Sequence, residues 1–234
     1  MRLGRTFGLC ALASLPLATA AKALPPVPVP PENPITENKR VLGKILFWDE
    51  QLSTDGTMAC ATCHTFNRGG GESRRARQPG PDGVLNTADD IFGSPGTIRS
   101  NSFKDFIRDT TYGTGKQVTG RNAPSPINAA YAPVLFWDGR ATGQFINPET
   151  GAVSIAAGGA LESQIVGPPT SSVEMGHDGI AWPEVTARLA RSTPLALAAS
   201  YPTDVALALA GKPGYSELFQ RAFGDGAVTA DRIA

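Results

Sequence analysis

The sequence predicts a mainly α, loop-rich domain built from short helices. Three observations carry that expectation. Glycines number 26 and prolines 20 among 234 residues, which favours loops over a regular bundle or sheet. Apolar residues recur at helical spacing in three places, 35–49, 182–190 and 215–223. Between them, above all in 67–126, turn-forming dipeptides are frequent. Hydrophobic residues make up 41% of the chain, enough for one sizeable core or two small ones. The formal net charge is zero, which gives no support to a nucleic-acid or anionic-membrane partner.

The elements follow in order. Arg2 and Arg5 precede the apolar run "FGLCALASLPLA", and small residues follow at 18–23. That is the layout of a secretory signal peptide, assigned to 1–23, which implies export. A proline-rich leader, 24–34, reads as a stiff extended stretch with few ways to pack. The domain proper is assigned to 35–234. In "ITENKRVLGKILFWD" (35–49), Val41, Leu42, Ile45 and Leu46 form one helical stripe, and Trp48 is assigned to the core. "STDGTMACATCH" is a turn leading into a short helical piece. Residues 67–126 read as a long loop that wraps a ligand. Residues 123–141 read as extended with a short helix, and 142–160 as an inserted loop. Helices follow at 182–190, with Trp182 in the core, and at 215–223, with Gly224 as the stop. The alanine-rich stretch 193–211 reads as two helical pieces split at Pro202. Thr229 reads as the N-cap of a last helix that ends after five residues, which points to a chain that continues beyond Ala234.

Chemistry concentrates in "CATCH". Cys10 leaves with the signal peptide, so Cys60 and Cys63 are the remaining cysteines. A disulfide between them would close too small a ring to staple anything. C-x-x-C-H is the signature of covalent c-type haem attachment. Two thiols one helical turn apart can reach the two vinyl groups on one porphyrin edge, and His64 then lies under the iron as proximal ligand. A thioredoxin-like motif would follow a strand, and a zinc site would need a second pair of ligands; neither is present. The fold expectation thus sharpens to a c-type cytochrome domain, with short helices wrapped around a covalently attached haem. An electron-carrying cytochrome also needs a sixth ligand, usually methionine. Met58 lies too close to the attachment site, and Met175 is far downstream beside a carboxylate, so an enzyme is favoured over a carrier. Asp82, Asp89 and Asp90 could hold a cation but lack calcium-loop spacing and read as a solvated turn.

Four stretches, "LGKILFWDEQLSTDGTMACATCHTF", "RNAPSPINAAYAPVLFWDGRA", "LESQIVGPPTSSVEMG" and "YSELFQRAFGDGAVTADRIA", resemble in order the bacterial di-haem cytochrome c peroxidases and their MauG-like relatives. The resemblance runs from about residue 41 to 234 and implies the N-terminal, peroxide-reacting haem domain of a periplasmic enzyme. Hydrogen peroxide would be reduced to water with electrons from a small c-type cytochrome or a cupredoxin. It implies haem c on Cys60 and Cys63 with His64 on the iron. Gln164 and Glu174 match the distal-pocket pair, and Trp137 matches a tryptophan on the electron path between two haems. Asn122 matches a side chain that helps hold calcium at the domain boundary, and a full-length member can form a homodimer. Low-dielectric surroundings would raise the Glu174 pKa and let it move a proton between the peroxide oxygens. Gln164 could hydrogen-bond the bound peroxide without titrating.

The sequence departs from the family in two ways. The second C-x-x-C-H is missing, so a second haem c is expected only if the chain continues. The stretch "YGTGKQVTGR" also lacks the histidine that many members carry before the "NAPS"-like motif. His177 reads as a pocket neighbour or a surface residue, and its replacement is expected to change little. The leading expectation is a cytochrome-c peroxidase. The rivals are a MauG-like haem oxidase and a plain electron-transfer cytochrome.

Overall fold

The computed structural model describes residues 23–234; the signal-peptide expectation for 1–23 lies almost wholly outside them. Helix α1 (Glu37–Trp48) starts at Thr36, whose hydroxyl accepts the Lys39 N–H (3.3 Å), and buries Val41, Leu42, Ile45 and Leu46. A single turn, α2 (Cys60–Cys63), carries the cysteines. Helix α3 (Ala160–Ile165) follows, then α4 (Trp182–Arg191), α5 (Thr203–Ala208), α6 (Tyr215–Phe223) and α7 (Ala230–Ile233). The core forms where α1 packs on α5 and α6, and α4 on α6 and α7. Ile45, Val185, Leu189, Tyr215 and Phe219 are its most deeply buried members. Gly224 ends α6 in the left-handed region (φ 91°), as its position predicted.

The loop regions hold three small antiparallel pairs. Strands β1 (Ala76–Gln78) and β2 (Ile91–Gly93) pair with Arg77 opposite Phe92. β3 (Pro95–Ile98) pairs with β4 (Lys116–Val118), and β5 (Phe145–Ile146) with β6 (Val153–Ile155). Residues 142–160 are therefore a hairpin that buries Phe145 and Ile155, rather than a plain inserted loop.

Several expectations change. Residues 193–201 are turns, and only 203–208 is helical in the alanine-rich stretch. Tertiary bonding overrides alanine propensity there. Leu195 takes a left-handed backbone (φ 51°), buries its side chain and donates its N–H to Asp49 Oδ2 (2.8 Å). The proline-rich leader, expected to have few ways to pack, is hydrogen-bonded to the domain. The Tyr131 hydroxyl donates to the Pro25 carbonyl (2.8 Å), and Asn33 Nδ2 to Glu162 Oε1 (2.8 Å). Trp182 is buried as expected, but Trp48 is 49% exposed. It sits at the edge of the α1 stripe, where its ring stacks on Phe66 outside the core. Thr229 precedes α7, yet its hydroxyl bonds Asp231, and the Ala230 N–H goes to Glu149 Oε2 (2.8 Å). No helix of the described residues is long and apolar enough to cross a membrane.

Candidate functional site

The approach to α2 is organised by Ser53. Its buried hydroxyl donates to the Glu50 carbonyl (2.8 Å) and accepts the N–H groups of Thr57 and Met58 (both 3.1 Å). Thr62 Oγ1 then accepts the Ala59 N–H (2.9 Å), which starts the turn. Cys60 and Cys63 stand as free thiols on that turn, and burial pushes both up to about 11. Arg74 reaches Cys63 Sγ (3.4 Å) while pairing with Glu72 (2.8 Å).

His64 closes the motif. Its Nδ1 lies 2.8 Å from the Pro124 carbonyl and 3.3 Å from that of Gly70. Nδ1 is thereby fixed as the donor, and Nε2 is left as the ligating nitrogen. The "NAPS" stretch thus supplies a backbone acceptor that no side-chain motif reveals. Gly70 is required at its place: its φ is +83°, and a Cβ would lie 2.5 Å from Pro126 Cδ. Two protonated thiols one turn apart, with an oriented imidazole beside them, fit a covalently held haem.

Glu174 is placed by backbone. The Val173 carbonyl accepts the Thr97 N–H of β3 (3.0 Å), and Gln117 of β4 donates to the Ser172 carbonyl (2.8 Å). Gly96 permits that approach, since a Cβ there would lie 1.8 Å from the Val173 oxygen. Thr54, ahead of the cysteines, donates its N–H to the Met175 carbonyl (2.8 Å). The carboxylate loop and the cysteine loop are therefore tied directly, and the Glu174 charge reaches Cys63. Burial raises the Glu174 pKa above its ordinary 4.5, with Arg140 opposing. Arg140 was not singled out from the sequence; it follows Trp137 in "FWDGR", pairs with Asp138 (3.2 Å) and lies over the Phe136 ring (3.6 Å). Gln164, half-buried on α3, ends its helix with its carbonyl accepting from Gly167 N–H (3.2 Å).

The other candidates divide. Trp137 is 84% exposed, with the Arg121 guanidinium 4.9 Å from its ring centre. Asn122 lines a cleft of about 440 Å³ with Arg68, Arg74 and Arg75, whose one carboxylate, Glu72, is paired with Arg74. No group of three or more His, Cys, Asp or Glu side chains able to hold a metal occurs among the described residues. His177 is no surface residue. It is 3% exposed, with Nδ1 2.8 Å from the Asp178 carbonyl and Nε2 3.0 Å from both Glu184 oxygens. Asp82, Asp89 and Asp90 turn inward on their own loop, accepting the N–H groups of Val84, Asp82 and Asn86. Met58 and Met175 both pack in the core.

A sequence profile described as di-haem cytochrome c peroxidase matches residues 37–234. The methylamine utilization protein MauG of Methylophilus methylotrophus is 28% identical over 221 residues, 94% of this chain and 44% of that protein. The cytochrome-c peroxidase IdrP1 of Denitromonas iodatirespirans is 35% identical over 136 residues, 58% of this chain and 26% of that one. Among solved structures, a MauG-like protein associated with microbial copper homeostasis aligns with a TM-score of 0.45 and 22% identity. It covers 92% of this chain and 44% of that one. The chain thus spans less than half the length of these relatives. With a profile match over nearly all of the folded residues, the chain belongs to the di-haem cytochrome c peroxidase family.

Proposed function

We propose that this chain is a peroxidatic haem domain that reduces hydrogen peroxide to water, taking electrons from a small c-type cytochrome or cupredoxin in the periplasm. The observation that carries the reading is the His64 geometry: an imidazole oriented by the Pro124 carbonyl, directly after two thiols, on a loop tied through Thr54 to the loop that carries Glu174. Cys60 and Cys63 would add their S–H groups across the two vinyl groups, and His64 Nε2 would bind the iron. Once bound, haem supplies the redox centre at which the peroxide O–O bond is cleaved. Glu174, its pKa raised by burial, would take the proton from the inner peroxide oxygen on its carboxylate and hand it to the outer one. Gln164 hydrogen-bonds the peroxide without changing charge. Arg140 limits how far the Glu174 pKa rises, which keeps the proton available. Trp137 would lie on the path by which electrons reach this haem from a second haem c in a longer chain. A homodimer belongs to that longer chain as well, whereas the cleft at Asn122, with three arginines and its one carboxylate paired, does not by itself fit calcium.

A MauG-like oxidase is the second reading, favoured by the MauG relative that aligns with 94% of the chain. An electron carrier fits less well, because Met58 and Met175 are committed to the core. The test is to export the full chain with haem-attachment machinery, stain denaturing gels for haem and follow peroxide-dependent oxidation of a reduced cytochrome. The wild type should stain and turn over, and Cys60→Ala with Cys63→Ala should lose both. Staining that survives in the double variant overturns the attachment. Peroxide consumption without cytochrome oxidation turns the reading toward the oxidase.

A further inference from the structure

We propose that Trp48 is a surface redox port, passing single electrons between solvent-facing protein and the haem site through Phe47 and His64. The proposal rests on the haem reading above. Four rings form a continuous chain of neighbours from surface to ligand. Trp48 and Phe47 meet edge-on with centres 5.8 Å apart, and Phe47 lies 6.5 Å from the His64 ring. Phe66, 57% exposed, stacks on Trp48 at 6.2 Å and leans on Phe47 at 6.1 Å. Indole is the most readily oxidised of these rings. The phenyl rings are too hard to oxidise and serve as the medium the electron crosses.

Exposure separates Trp48 from an ordinary packing tryptophan. Trp182 shows that packing role: it is buried, with its N–H donated to the Val166 carbonyl (3.2 Å). A half-exposed indole can instead release its N–H proton to water as an electron leaves. Charge separates it from the other exposed tryptophan. The Arg121 guanidinium over Trp137 opposes loss of an electron from that ring, whereas no cation lies over Trp48 among the described residues.

The electron balance is simple. Hydrogen peroxide takes up two electrons and two protons and gives two waters. Trp48 supplies one of the electrons by way of Phe47 and His64, its proton goes to water, and the other electron comes from the haem iron. A redox partner docked at the Trp48–Phe66 patch then returns two electrons one at a time, the first restoring the indole and the second passing through it to the iron. Without a partner, the neutral indolyl radical combines with dissolved dioxygen, and the oxygen left on the ring records the event.

The experiment uses the haem-bearing full chain mixed with peroxide and no reductant. It reads freeze-quenched electron paramagnetic resonance and peptide mass spectrometry. Wild type should give a tryptophan radical and added oxygen at Trp48, both lost in the haem-free Cys60→Ala, Cys63→Ala chain. Trp48→Phe, which keeps an aromatic ring in the stack, should lose the radical. Trp48→Tyr should replace it with a tyrosyl signal, which a packing role cannot explain. A haem-bearing, peroxide-consuming chain with the same radical in Trp48→Phe overturns the port alone. Wild type without covalent haem overturns the port and the haem reading together.

Discussion

At Glu174 a single side chain links stability to chemistry. Burial holds its folded-state pKa above 4.5, so the folded chain keeps a proton that the unfolded chain has already released. Stability therefore falls as pH rises from 4.5 through the raised value. Glu174→Gln removes that loss: its melting temperature should gain on wild type across the same rise in pH, while haem staining is unchanged. Peroxide turnover in the variant should drop by about 100- to 10,000-fold, the usual worth of general acid–base help. His177 carries an opposite lesson. As a lone loop histidine it looked replaceable, yet both ring nitrogens face oxygen acceptors in a buried position. His177→Ala should cost about 1–3 kcal/mol in denaturant unfolding, with the haem spectrum unchanged. The signal for that burial was the Glu184 seven residues on, which only the fold brings back against the ring. Cys60, Cys63 and His64 were legible because their chemistry is written in consecutive positions. Pro124 was not, because its contribution is a carbonyl oxygen, which every residue type carries.

Between elements, Asp49 is the principal tie. Its Oδ2 accepts the Tyr215 hydroxyl of α6 and the Leu195 N–H, and its Oδ1 accepts the Gln51 N–H (2.9 Å). Burial and the Asp49 charge push the Tyr215 phenol far above its usual range, so it remains a donor. Tyr215→Phe should cost about 1.5–3 kcal/mol in equilibrium unfolding, the worth of a hydrogen bond to a charged group. A looser tie joins α1 to α5, where Lys44 (2.6 Å) and Arg40 (2.8 Å) both meet Asp204. These bonds lower the Asp204 pKa, so their contribution is present above 3.8 and lost as pH falls below it. Asp204→Asn should therefore flatten the acid limb of a pH–stability curve. Helices α1, α4 and α6 were readable from the periodicity of their apolar residues. The turns at 193–201 were not, because the Leu195-to-Asp49 bond is a contact across 146 residues and leaves no local pattern.

For the molecule as a whole, the proposed haem reading expects one covalent haem for the one C-x-x-C-H of this sequence, to be checked by haem absorbance against protein mass. The loops that looked irregular are what surround the motif, and their short strand pairs are too brief to declare themselves in sequence. The same arrangement orders the molecule's manufacture. Cys60, Cys63 and His64 occupy five consecutive positions, whereas the Met175 carbonyl that meets Thr54 arrives 121 residues later. On the proposed haem reading, attachment needs only those few neighbouring residues and not the finished fold. Glu174, the acid proposed for peroxide cleavage, is delivered afterwards, when the chain doubles back. A half-made molecule would hold its iron without yet being armed.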